Sequence, residues 1–78
     1  MIVDLIPELM EAPQTCRHLN QILRSAGIKT VFFRSMKRTS MEPRKTYEVC
    51  VYSPEDHEFK HIYHSSSLRA CINALKFY

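Results

Sequence analysis

The chain has 78 residues, 45% of them hydrophobic and 24% charged, with a net charge of +3 and a pI near 8.9. So short a chain builds one hydrophobic core, which predicts a single domain over residues 1–78, and this composition is not that of a disordered protein. Three cysteines without close spacing, Cys16, Cys50 and Cys71, argue against a disulfide-framed secreted domain, and no apolar run approaches the roughly 18 residues of a membrane span. No leader pattern or lipidation signal is visible, so the expected setting is cytoplasmic, with reduced thiols and no membrane contact.

Residues 2–11 are open between a short strand of Ile2, Val3, Leu5 and Ile6 and the lead-in to a helix. Pro7 suits a first helical position, and Glu8 to Glu11 can form one turn after it. Asp4, Glu8 and Glu11 would then align as an acidic stripe. Pro13 interrupts any continuous helix. From Gln14 to Ala26, Cys16, Leu19, Leu23 and Ala26 recur at helical spacing with Ile22 widening the stripe, and Gly27, the only glycine, stands where a left-handed cap is wanted. An amphipathic helix follows from this pattern.

Thr30 to Lys37 is strand-like, with Val31 and Phe33 facing one way and Phe32 and Arg34 the other. A polar loop follows. Thr46 to Ser53 alternates, with Tyr47, Val49 and Val51 on one face and Glu48, Cys50 and Tyr52 on the other. Ser53 to Asp56 has turn chemistry, and a third strand is expected from Glu58 to His64. Ser65 to Ser67 offer an N-cap for a last helix, Leu68 to Phe77. The predicted fold class is α+β in the order α-β-β-β-α, a three-stranded antiparallel sheet with its helices packed on one face.

Charge is concentrated in Lys29 to Lys45, which holds six of the eleven Lys and Arg residues against one acid, Glu42. If the first two strands pair, Arg34, Lys37, Arg38, Arg44 and Lys45 gather at one end of a ribbon that can lie along a phosphate backbone. Arg17 and Arg24 are possible extensions from the helix. The bland alternative is a solvated hairpin whose charges protect an edge strand. The expected function is non-catalytic binding of nucleic acid or a nucleoprotein complex. The rival is a small phage- or mobile-element-type regulator that docks on a host or partner protein, and so small a core also admits a homodimer.

Phe32, Tyr52 and Tyr63 are candidates for one shared sheet face, where bases could stack, although burial under a helix is the commoner fate of such rings. No metal site is expected. On strict alternation His61 and His64 point to opposite faces, and no second Cys or His pair has zinc-like spacing. No cofactor and no catalytic residue are expected either. The cysteines fall in apolar patterns, and one glycine cannot build a phosphate-cradling loop.

The element order resembles that of double-stranded-RNA-binding domains, and Glu42 to Val51, EPRKTYEVCV, looks like their first loop running into strand two. That resemblance implies the architecture. It does not extend to the family's phosphate clamp, because Ser65 to Cys71 carries one basic residue, Arg69, and glycines around the third strand are missing.

Overall fold

Residues 2–41 and 43–78 are described in the computed structural model; Glu42, the acid inside the basic segment, lies outside them. The N-terminal ambiguity resolves to helix. A 3₁₀ turn, Ile2–Leu5, leads into α1, Ile6–Glu11, with Pro7 in its first turn where a missing N–H costs no bond. Ile6 and Leu9 enter the core, while Asp4, Glu8 and Glu11 stay exposed. The Gln14 side-chain amide closes the helix by donating to the Leu9 and Ala12 carbonyls at 3.0 and 2.7 Å, groups near the helix end that need a partner from outside it.

The second helix, α2, spans Cys16–Ser25. Thr15 caps it, its hydroxyl accepting from the His18 N–H at 3.2 Å. At the other end Gly27, at φ 78°, donates to the Arg24 carbonyl, and Ile28 donates to the Leu23 carbonyl. Those two bonds make a Schellman stop that only a residue tolerant of positive φ forms without strain. Leu19 and Leu23 are fully buried.

The chain then runs through β1, Val31–Ser35, β2, Tyr47–Ser53, and β3, Glu58–Ser65, in an antiparallel meander with β2 central. It closes with α3, Leu68–Ala74, capped by Ser67 and finished by a 3₁₀ turn, Leu75–Phe77. Val31, Phe33, Val49 and Val51 point under the helices and meet Leu9, Leu19, Leu23, Cys71, Ile72 and Leu75 in one core. All helices pack on this side, so the fold is the expected one-sided α+β sandwich.

One irregularity changes the faces of β3. Val49 pairs with Tyr63 but Cys50 pairs with His61, so Ile62 is an extra residue in the ladder. Ile62 packs against the core and Tyr63 lies opposite core-facing Val49. The bulge therefore turns two successive residues toward the helix side and resets the alternation beyond them.

Asn20 of α2 takes the place of a fourth strand. The ladder bonds Tyr52 N–H to Thr30 O and Met36 N–H to Thr46 O assign the even residues of β1 to β2, leaving Phe33 with its amide and carbonyl on the open edge. Asn20 satisfies both, its Nδ2 donating to Phe33 O and its Oδ1 accepting from Phe33 N, each at 2.8 Å. Replacing Asn20 by alanine should lower unfolding free energy by about 1–3 kcal/mol in urea titration. It should also promote edge-to-edge association on concentration. An unchanged midpoint would show that the clamp contributes nothing.

Candidate nucleic-acid interface

Directly opposed residues of a sheet share a face, so the register lays out three rows on the side away from the helices. Arg34, Glu48 and His64 form the row nearest the β1–β2 loop, Phe32, Cys50 and His61 the next, and Tyr52 with Phe59 the last. His61 and His64 are thus on the same face, contrary to strict alternation. The bulge supplies the missing step, and their rings touch through Nε2 and Nδ1 at 3.0 Å.

Glu48 organises this face. It is only 6% exposed although no helix covers it. Arg34 Nε donates to its Oε1 at 2.8 Å, Cys50 Sγ donates to the same oxygen at 2.9 Å, and His61 Nδ1 stands 3.7 Å from Oε2. Burial pushes the carboxyl upward, but the Cys50 and Arg34 hydrogen bonds and the Arg34 and His61 charges outweigh it and hold the group below its ordinary value. Glu48 is therefore a buried carboxylate already satisfied by its neighbours. Among the described residues no three His, Cys, Asp or Glu side chains are grouped to hold a metal ion.

The far row is aromatic. Phe59 meets Phe32 edge-on at 4.9 Å between centroids and Tyr52 at 5.4 Å, the geometry favoured by ring quadrupoles. The Arg34 guanidinium lies 5.7 Å from the Phe32 centroid. Phe59 remains 43% exposed at the centre of this trio. Tyr63, expected beside Phe32 and Tyr52, is instead on the α3 side, displaced there by the bulge; Phe59 occupies the place sought for it.

The basic residues divide by side. Lys37, Arg38 and Arg44 are exposed among the described residues between β1 and β2, 36–41 and 43–46. Arg34 belongs to the open face, tied to Glu48. Lys45 lies over the ring of Tyr47 at 5.6 Å, and Tyr47 packs against the core, which puts Lys45 on the helix side of the ribbon. Arg24 lines a cleft with Lys29 and Phe32 beside β1, whereas Arg17 is simply exposed on α2. Sequence reasoning missed Glu48 and Phe59 as neighbours of the site, and counted Lys29 in the basic segment without assigning it to the site. The alternation of β2 already placed Glu48 beside Cys50 and opposite Val49, and that was the one available signal.

Burial raises all three thiols. Cys50, also bonded to and repelled by Glu48, and Cys71 are pushed up to about 11; Cys16 rises despite the Ser35 hydrogen bond and the Lys45 charge. Alkylation of the native protein at about pH 8 should therefore leave Cys50 and Cys71 unmodified, with Cys16 the first to react, and denaturant should release all three. Rapid native labelling at Cys50 would contradict the Glu48 contact. Because Glu48 titrates lower folded than unfolded, its stabilising contribution is complete above its ordinary value of 4.5 and is lost as pH falls through the folded value. The stability gap between wild type and Glu48→Gln should accordingly hold steady above 4.5 and shrink as pH is lowered through and below that value, as read by urea midpoints. A gap that stays constant as the pH is taken well below 4.5 would count against the lowered carboxyl.

Comparison of the chain with protein-family models, with curated proteins and with solved structures finds no match, so a reading of function rests on the arrangement of these side chains.

Proposed function

We propose that this chain is a small non-catalytic binding protein that contacts nucleic acid, or a nucleoprotein complex, through its basic β1–β2 hairpin. One observation carries the reading: Lys37, Arg38 and Arg44 are all exposed in a single loop that continues directly from the open sheet face at Arg34. Exposed cations carried by one connection can neutralise neighbouring phosphates and release their counterions, which is the main source of affinity for a polyanion. The buried, raised thiols do not favour cysteine-nucleophile chemistry near neutral pH.

A second reading, docking on a host or partner protein as a phage-type regulator does, is favoured by a different observation. Ile62, Tyr63, Ala74, Phe77 and Tyr78 line a groove beside α3, and Phe77 and Tyr78 are 91% and 66% exposed. Binding of that kind would depend weakly on salt and would be lost on Phe77→Ala.

Gel shift across a salt series separates the two. Nucleic-acid binding should weaken steeply with salt, and the Lys37→Ala, Arg38→Ala double variant should lose affinity for every sequence and flatten the log–log salt slope by about 2. The absence of any shift at low salt, with DNA and with RNA, would remove the leading reading.

A further inference from the structure

Resting on the reading above, we infer that the open sheet face is a stacking platform for unpaired bases, so that the nucleic acid this chain takes is single-stranded. Phe59 is the centre of the platform. Its ring is exposed on a β-strand and held edge-on by Phe32 and Tyr52, so little side-chain freedom is lost when a base settles on it. A duplex keeps its base faces inside its own stack and has none to offer this trio.

Charge sets the direction of the strand across the face. Along the β1 side, Arg24 and Lys29 share a cleft with Phe32, Arg34 follows two residues on, and Lys37 and Arg38 continue into the loop. The opposite edge is acidic: Glu55 and Asp56 stand in the turn before β3, Asp56 paired with Lys60, and Glu58 is the first residue of β3. A phosphate backbone is therefore drawn along β1 and kept away from the β3 turn, with its bases reaching inward over Phe32 and Phe59. The carboxylate on the face itself offers little repulsion, because Glu48 is buried and bonded by Arg34 and Cys50.

Fluorescence anisotropy with the full chain tests this, using labelled oligo-dT and oligo-U of about 12 nucleotides and a duplex of about the same length. Both single strands, or one of them, should bind about tenfold or more tightly than the duplex. Phe59→Ala should weaken single-strand binding roughly 5- to 150-fold, the loss of one stacked base. Phe59→Leu keeps an apolar side chain while removing the π-face, and should weaken it in the same direction. Should Phe59→Ala fail to fold by circular dichroism, Phe59→Leu carries the test. Equal affinity for single strands and duplex, or a Phe59→Leu variant that binds single strands as wild type does, would overturn the platform and leave salt-dependent nucleic-acid binding standing. Absence of binding to all three probes would remove both.

Discussion

A three-stranded sheet has two faces, and this chain has helix enough to cover one. The core side is filled in the usual way, with Phe33 and Val49 of the sheet meeting Leu19, Leu23 and Ile72 of the helices, all essentially buried. The other face must be stable in contact with water. It is built from rings locked edge to edge and from a carboxylate whose desolvation is offset by a guanidinium and a thiol at hydrogen-bond distance. Each of those groups comes from a different position on the three strands, so the face is as ordered as the register that produces it.

Keeping the register requires control of two exposed edges. At β1 the edge amide and carbonyl of Phe33 are consumed by Asn20, which also fixes α2 against the sheet and so aligns Leu19 and Leu23 over it. At β3 the extra residue Ile62 interrupts the ladder, and a bulged edge is a poor template for another strand. The same bulge sends Tyr63 toward α3 and returns His64 to the open face. A device that limits edge pairing thus also determines which side chains the face displays.

Arg34 links the scaffold to the proposed interface. It bonds Glu48, lies near the Phe32 ring and is the last open-face residue before the loop that holds Lys37 and Arg38. Its side chain is 62% exposed, so the ion pair anchors it at one end and leaves the guanidinium open to solvent. Rigid strand residues and a basic loop are therefore joined at one position, which suits an extended ligand better than a compact one.

Much of the architecture was legible without coordinates, because it depends on neighbours in the chain. The apolar spacing of residues 16–26, the cap among Ser65 to Ser67, the stop at Gly27 and the alternation of residues 46–53 are all local periodicities or local hydrogen bonds, and they identified α2, β2 and the start of α3. The sides taken by Phe32, Arg34, Glu48 and Tyr52 followed from the same alternation. Residues 2–11 resisted because the short apolar stretch of Ile2, Val3, Leu5 and Ile6, broken by Asp4, suits either a strand or a helix until Ile6 and Leu9 have a core to enter. The exchange of Phe59 for Tyr63, the meeting of His61 with His64, the Asn20 clamp and the separation of Lys45 from Arg34 were decided only by tertiary structure. Each depends on one added residue in a ladder or on a bond between residues more than ten positions apart, and periodicity along a single strand carries no record of what lies across from it.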